Sequence, residues 1–574
     1  MKPATNEDIA RILRDMGGYL ELAGISFKPR AYEKAATLVE NLSEELSNIY
    51  REGGLLALEA LPDIGKGIAE RVEELLQSGQ IREYESLKRK LPVNLSELTA
   101  IEGIGVKKVK ALYEELEVKT LADLKRAVEK GEVAAIRGFG KKTEDNIKKG
   151  IAFLEQHAGR FLLSDARRIA ERIAEPIRKI AGEDDVVVAG SIRRWRETVG
   201  DIDILVRGSK PEPIMNAFVS HPDAVHVYQH GQTKSSVRLK QGLDADLRVV
   251  PRHSFGAALN YFTGSKAHNI TLREIAIKKG WKLNEYGLFD GEKQIAGETE
   301  EDLYRKLGLA YVEPEMREDS GEIELARKRA LPNLIDYGDL KGDLQVQTNW
   351  TDGVDSIEAM AEAALGAGLE YIAITDHTKR LAMARGLDER RIREQGKEID
   401  EVNKKLRGKC TILKGSECDI LKDGSLDLPD EILAELDVVG ISVHSHFNLS
   451  RDAQTKRVIR AMQNPHADIL FHPTGRLVNR RKAYDIDMDE IIAVAKETGT
   501  VMEIDSFPDR LDLKDEHIRK CVEAGVPLVV DSDAHAAGHF SVLEYGIAQA
   551  RRGFAERKDI INTLPLDKFL NRLK

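Results

Sequence analysis

The stretch Val188-Ala189-Gly190-Ser191-Ile192-Arg193-Arg194, followed closely by Gly200-Asp201-Ile202-Asp203-Ile204-Leu205-Val206, decides how this chain is read. Asp201 and Asp203 alternate with apolar residues at a period of two, which predicts a strand with both carboxylates leaving the same face. Two carboxylates side by side repel unless a cation sits between them. Asp246 opens a second apolar run, Asp246-Leu247-Arg248-Val249-Val250, predicted as another strand that completes the cluster. Three such carboxylates on adjacent strands can hold two Mg²⁺ ions, aligning an attacking hydroxyl with a leaving pyrophosphate. A D-x-D pair alone suits an edge strand with solvated side chains equally well. The Gly-Ser turn and paired arginines ahead of it change that, because they supply N–H, hydroxyl and guanidinium donors for a triphosphate. The combination predicts nucleotidyl transfer.

Toward the N-terminus, residues 1–160 read as short amphipathic helices broken by Gly-centred turns. One pattern occurs three times: Pro62-Asp63-Ile64-Gly65-Lys66-Gly67, Ile101-Glu102-Gly103-Ile104-Gly105-Val106-Lys107-Lys108 and Ile136-Arg137-Gly138-Phe139-Gly140-Lys141-Lys142. Glycine permits tight, positive-φ geometry that leaves backbone N–H groups at a helix N-terminus free to hold a phosphate. Gly65, Gly67, Gly103, Gly105, Lys107, Gly138, Gly140 and Lys141 are therefore the candidate DNA-backbone contacts. The chain's net charge of −10 gives no global attraction to nucleic acid, so any contact must come from such local patches.

With 574 residues, 42 % apolar and 32 % charged, the chain suits about two to four soluble domains. No apolar run approaches the roughly 20 residues of a membrane span, and the first residues lack the apolar core of a signal peptide. Cys410, Cys418 and Cys521 form no CxxC pair, which fits a reduced, cytoplasmic setting. The Glu-, Arg- and Pro-rich stretch 312–336 reads as a connector. From Asp339 onward apolar runs alternate with amphipathic helices, predicting a TIM-like βα barrel. Metal-ligating residues follow those runs: Asp376-His377, Glu417, His444-Ser445-His446, His472 and Asp533-Ala534-His535. In this architecture such positions face the C-terminal mouth of the barrel. Mixed imidazole and carboxylate donors suit Zn²⁺, Mn²⁺ or Fe²⁺, which can turn water into hydroxide and cleave a phosphodiester.

Tyr261-Phe262-Thr263-Gly264-Ser265 and Asn284-Glu285-Tyr286-Gly287-Leu288 resemble the YFTGS and NEYGL segments of bacterial and archaeal family X DNA polymerases. The resemblance covers essentially the whole chain, since the hairpin repeats, the carboxylate motifs and the C-terminal region come in that family's order. It implies a multidomain α+β and α/β protein: a helical domain with the first helix-hairpin-helix (1–85), a second helix-hairpin-helix subdomain (86–165), a nucleotidyltransferase palm (166–255), a nascent-base-pair subdomain (256–315), a linker (316–338) and a distorted TIM-like PHP (polymerase and histidinol phosphatase) barrel (339–574). By the same resemblance Asp201, Asp203 and Asp246 carry two Mg²⁺ or Mn²⁺ ions, and Asp244 is only their neighbour. Ser191, Arg194 and Gly200 hold the β- and γ-phosphates. Tyr261, with Phe262 and Gly264, sits against the sugar, and Asn269 and Arg273 reach the minor-groove edge of the nascent pair. Substrates are then gapped or primer-template DNA and deoxynucleoside triphosphates, handled by a monomer in the cytoplasm near the nucleoid.

Two departures from the family pattern matter. Relatives that remove a 5′-deoxyribose phosphate use a Schiff-base lysine on the helix after the first hairpin, and Arg71 stands there, with Lys66 nearby as a phosphate contact. Arginine stays protonated and forms no Schiff base under ordinary conditions. In the PHP family the first motif reads Gly-Asp-Leu-His-x-His-Thr, whereas this chain has Gly342-Asp343-Leu344-Gln345-Val346-Gln347-Thr348. Amide oxygens are poorer ligands than imidazole for the metals concerned. Asp352, His377, Glu417, His444, His472, Asp533 and His535 still match ligand positions, with His446 and Arg476 flanking them and Glu503 as a possible support. The expectation is a polymerase whose 3′→5′ exonuclease is weakened or lost. The alternative is a PHP-type exonuclease or phosphodiesterase with a DNA-binding N-terminal half.

Overall fold

Alternation in the carboxylate region produces a five-stranded sheet. In the computed structural model, which describes residues 4–25, 28–42, 44–101, 103–157 and 159–574, the strands are β1 (Val186–Val188), β2 (Asp201–Arg207), β3 (Ala224–His230), β4 (Lys234–Leu239) and β5 (Asp244–Val250). Their order is β1-β2-β5-β4-β3, with β2 and β5 parallel and the other neighbours antiparallel. Ile202 and Ile204 point to one face, where they meet Ala245 and Leu247 and the helix Leu163–Ala181. That helix places Leu163, Ala166, Ile169, Ala170, Ile173, Ala174 and Ile177 along one buried stripe at helical spacing. The carboxylates leave the opposite face.

The next stretch forms helices Phe255–Thr263 and Lys266–Lys278, a three-stranded antiparallel sheet of β6 (Lys282–Asn284), β7 (Gly287–Asp290) and β8 (Lys293–Ala296), and helix Glu300–Leu307. The stretch 316–338 does not act as the linker its composition suggests. Met316, Ile323 and Ala326 are buried in this subdomain's core, and Arg317 is 0 % exposed. Its charged residues are internal ion partners: Arg317 bonds Glu300 at 2.5 Å and the carbonyl of Val312 at 2.9 Å, while Arg193 bonds the same Glu300 at 2.7 Å.

Seven parallel strands follow in chain order: β9 (Gly342–Val346), β10 (Tyr371–Ile374), β11 (Thr411–Asp419), β12 (Val438–Ser442), β13 (Ile469–Leu470), β14 (Val501–Asp505) and β15 (Leu528–Asp531). Their residues are almost wholly buried, as strands covered on both faces must be. The first and last strands meet through Asp531, which accepts the N–H of Leu344 at 2.8 Å, and Asp343, which accepts that of Ser532 at 3.1 Å. This nearly closes a TIM-like barrel. Gly440 is required inside it, since a Cβ there would lie 1.8 Å from the Phe471 ring.

Residues 159–346, 365–533 and 542–574, which include all these sheets, form one compact unit; residues 1–158, 347–364 and 534–541 form another. The second consists largely of helices around a core that includes Ile9, Leu13, Leu46, Val72, Leu98, Leu112 and Leu124. Among the described residues no helix is long and apolar enough to cross a membrane.

Burial of Glu300 works against its ionisation, but Arg317 and Arg193 outweigh it and hold the carboxyl down at about 2. A depressed carboxyl contributes stability that is present above the ordinary value near 4.5 and is lost as pH falls from there through 2, worth about 3 kcal/mol. Glu300→Gln should therefore reduce protection from hydrogen exchange across residues 299–328 at neutral pH, and the gap to wild type should narrow as pH falls below 4.5.

Candidate active site

Parallel pairing of β2 with β5 sets Asp201 opposite Asp244 and Asp203 opposite Asp246, so the predicted carboxylates share one face. Burial pushes Asp203 up, and the charges of Asp201 and Asp246 push it further, to about 7. Such a cluster fits a divalent cation, whose charge would remove that repulsion. Lys234 on β4 already lies 3.1 Å from Asp246, and Arg238 lies 2.8 Å from Asp244. Gly190 begins the short helix Gly190–Arg193 with φ +63, and a Cβ there would stand 2.7 Å from the Asp203 carboxylate. Only glycine brings this turn so close to the acidic strand.

A cleft of about 700 Å³ opens beside the cluster. Asp201, Asp203, Ser191, Arg194, Gly200, Tyr261, Phe262, Gly264, Asn269 and Arg273, all predicted, line it. Asp246 is not on that wall. The Ser191 hydroxyl is buried without a hydrogen-bond partner, and Arg194 bonds Glu318 at 3.1 Å and the carbonyl of Thr263. Asn269 donates to the carbonyl of Tyr261 at 2.8 Å, which ties the helix Lys266–Lys278 to the backbone of Tyr261, whose side chain is exposed. Phe262 packs under the Arg248 guanidinium at 4.5 Å. Arg160, Arg196, Lys266 and Glu318 also line the cleft. Sequence reasoning missed these four; Lys266 directly follows the YFTGS segment and Arg196 lies two residues past Arg194, so adjacency to motifs was the available signal.

The three hairpins share a backbone device. Gly103 and Gly138 have φ of +79 and +91, and the matching place in the first copy is held by Asp63 at +55 rather than by glycine. Gly65 and Gly105 cap the helices Lys66–Ser78 and Val106–Leu116, and Gly140 begins Gly140–His157. A Cβ on Gly65, Gly67, Gly103, Gly105, Gly138 or Gly140 would meet nothing within 4 Å, so these loops face open space. Lys107 is exposed. Lys141 pairs with Glu144 at 2.8 Å and Asp145 at 3.4 Å. Glu102, within the second copy, lies outside the described residues. Arg71 is clasped by Glu83 at 2.6 and 2.8 Å.

At the barrel mouth three imidazoles surround Glu417: His472 at 2.9 Å, His444 at 3.1 Å and His377 at 3.3 Å. Burial works against charge on His444, but Glu417 and then Asp419 outweigh it and raise the imidazole to about 9. Glu503 accepts the backbone N–H of His472, the supporting place expected for it. Asp533 lies 3.3 Å from Arg510. The His377–Glu417–His444 donors can hold a metal ion. Gln345 is fully buried and neither atom of its amide has a hydrogen-bond partner. Gln347 is likewise buried, and in its own unit Asp352 and His535 lie 3.8 Å apart. His446 is exposed, and Arg476 is not a free rim cation, because it pairs with Glu197 at 2.9 Å.

Comparison with known proteins agrees with this division of labour. Residues 4–81 match the helix-hairpin-helix domain family, 95–152 the SAM-like helix-hairpin-helix tandem, and 258–318 the DNA polymerase beta thumb. The chain is 38 % identical to the DNA polymerase/3′-5′ exonuclease PolX of Bacillus subtilis, over 99 % of both chains. It is 27 % identical to DNA polymerase lambda of Rattus norvegicus, over 54 % of this chain and 56 % of that one. A protein of Thermoanaerobacter sp. (strain X514) named "Probable phosphatase" is 31 % identical, over 36 % of this chain and 84 % of its own. The chain belongs to the family X DNA polymerases.

With Arg71 locked to Glu83, borohydride reduction in the presence of 5′-deoxyribose-phosphate DNA should trap no stoichiometric adduct. A stable covalent complex on gel electrophoresis would show that another amine does this chemistry.

Proposed function

We propose that the chain fills short gaps in DNA during repair, and that its PHP centre is weakened or silent as a 3′→5′ exonuclease. The chain is a DNA-directed DNA polymerase of family X. The observation that carries the reading is the convergence of Asp201, Asp203, Ser191 and Arg194 on one cleft, with Asp246 paired beside Asp203. Mg²⁺ or Mn²⁺ bound at the three carboxylates would offset charge building on the α-phosphate and the leaving pyrophosphate. Ser191, Arg194 and the backbone at Gly200 take the β- and γ-phosphates as donors. Tyr261, Phe262 and Gly264 form the wall against the sugar, and Asn269 and Arg273 bound the side facing the nascent pair. Asp246, or a water, accepts the proton of the primer 3′-hydroxyl as its oxygen attacks the α-phosphorus and pyrophosphate departs.

The hairpin glycines with Lys107 and Lys141 hold the DNA backbone on either side of the gap, so affinity falls steeply with salt. The domain limits follow as 1–85, 86–165, 166–255 and 256–315, with 316–338 packed into the thumb and 339–574 as the PHP region. The protein acts as a monomer in the cytoplasm, near the nucleoid. In the PHP region Asp352, His377, Glu417, His444, His472, Asp533 and His535 are the ligands available to Zn²⁺, Mn²⁺ or Fe²⁺. Two neutral amides, Gln345 and Gln347, replace imidazoles in the first motif, which lowers affinity at that subsite.

A 5′-labelled primer on a one-nucleotide-gapped duplex separates the activities. Extension with nucleotides and an intact primer without them is the expected result with Mg²⁺ or Mn²⁺. Asp201→Ala should reduce extension by at least about a thousandfold, the scale for losing a metal-borne transition-state interaction. The paired change Gln345→His with Gln347→His should increase primer shortening. Shortening by the unaltered chain that Glu417→Ala abolishes would contradict the silenced-exonuclease reading.

A further inference from the structure

The barrel's helix Leu543–Arg552 ends in two consecutive arginines, Arg551 and Arg552, both buried. Buried guanidinium groups persist only where each is paired; both reach Glu315, Arg551 through its carboxylate and Arg552 through its backbone carbonyl at 3.4 Å, and beyond it their partners differ. Arg551 bonds Glu315 at 2.7 Å and the carbonyl of Ile335 at 2.8 Å, away from the nucleotide cleft. Arg552 bonds Asp515 at 2.5 Å, Glu318 at 3.2 Å and the backbone carbonyl of Arg194 at 2.7 Å. Glu318 is itself a wall of the cleft and the carboxylate partner of the Arg194 guanidinium.

The same helix grips the residue that follows. Gln549 donates to the carbonyl of Trp195 at 3.0 Å, and the Trp195 ring is held between the Arg167 guanidinium, 3.7 Å from its centroid, and Tyr545 at 5.5 Å. Trp195 has φ +52, a left-handed conformation uncommon for a bulky side chain. Two successive carbonyls of the loop carrying Arg194 and Arg196 are thus fixed by side chains of the barrel. Arg194 also reaches the carbonyl of Thr263, within the YFTGS segment.

We propose that Arg552 is a positioning residue of the polymerase site: through the Arg194 carbonyl and Glu318 it sets the guanidinium that receives the triphosphate. The barrel is then a structural part of the nucleotide site, independent of any metal at its own mouth. This rests on reading the cleft as the nucleotide site. Glu318 stands among Arg194, Arg196 and Arg552. When a triphosphate draws Arg194 away, Arg552 keeps the carboxylate neutralised and stops it from opposing the incoming charge. No other cation among those three is anchored from the barrel, because Arg552 alone is tied to Asp515.

The test is single-nucleotide insertion by the full chain on a one-nucleotide gap. Arg552→Met should raise the KM for the nucleotide about tenfold, the scale of one charge-assisted hydrogen bond, with kcat within about threefold and gapped-DNA affinity unchanged. Arg552→Lys should recover part of the loss. In a Glu318→Gln background the further effect of Arg552→Met should shrink, because the two act through one contact. Arg551→Met, which disturbs the same helix away from the cleft, should leave the KM unchanged. If Arg552→Met does not fold, Arg552→Lys and Gln549→Leu give the readout, each with a smaller rise in KM. An unchanged KM in folded Arg552 variants overturns the proposal, as does an equal KM shift from Arg551→Met, which would mark a general effect of the helix. Arg194→Ala separates the two levels: if it leaves KM unchanged, the nucleotide reading of the cleft is wrong and the proposal falls with it. If it raises KM while the Arg552 variants do not, only the proposal fails.

Discussion

Repulsion among carboxylates on one face of the β2–β5 pair is the constraint around which the polymerase half is arranged. Parallel pairing puts Asp203 directly across from Asp246, and the apolar residues between them must then fill the opposite face, which the helix Leu163–Ala181 covers. The backbone turn at Gly190 has to pass within reach of Asp203, which excludes any Cβ. Lys234 pairs with Asp246 at 3.1 Å, but Arg193 and Arg194 are engaged elsewhere, with Glu300 and Glu318, and Asp203 stays pushed up by its carboxylate neighbours. Negative charge at the cluster is thus left for a cation, while the donors for a triphosphate are held a short distance away.

The barrel centre handles charge differently. Around Glu417 the donors are imidazoles, and the raised value of His444 leaves positive charge beside that carboxylate, while Glu503 is pushed up by burial and by the charge of Asp505. Gln345 and Gln347 are neutral amides and add no charge to the buried interior. That distinction explains how a chain can hold a complete set of polymerase carboxylates beside an altered PHP motif. The barrel's helix Leu543–Arg552 is anchored to the loop of Arg194.

Much of this was legible in the sequence. The D-x-D alternation, the Gly-Ser turn and the YFTGS segment all report local geometry, and local geometry is what period and turn chemistry encode. The barrel strands at 371–374, 438–442, 501–505 and 528–531 were visible as apolar runs for the same reason. The antiparallel pair β3–β4 was not, because Ala224–His230 is largely exposed and carries no clean alternation. The stretch 316–338 misled because its charges looked solvated, whereas Arg317 is buried in an ion pair with Glu300 and Glu322 is buried in a hydrogen bond to His268. The first hairpin's left-handed residue was invisible as well, since Asp63 takes a place that glycine fills in the other two copies. Lys234 and Glu318 reach the site only through tertiary pairing, which no single-sequence pattern records.

The proposed order of affinities puts the Asp201–Asp203–Asp246 cluster, as the tight cation site, above the site in the barrel. It is tested most directly by titrating Mn²⁺ into the full chain bound to gapped DNA with a dideoxy-terminated primer and a nucleotide, counting bound ions by electron paramagnetic resonance. Stoichiometric tight binding should disappear when Asp201 and Asp203 are both changed to Asn and should survive Glu417→Ala. Tight binding that survives the double Asp change and is lost with Glu417→Ala would contradict it.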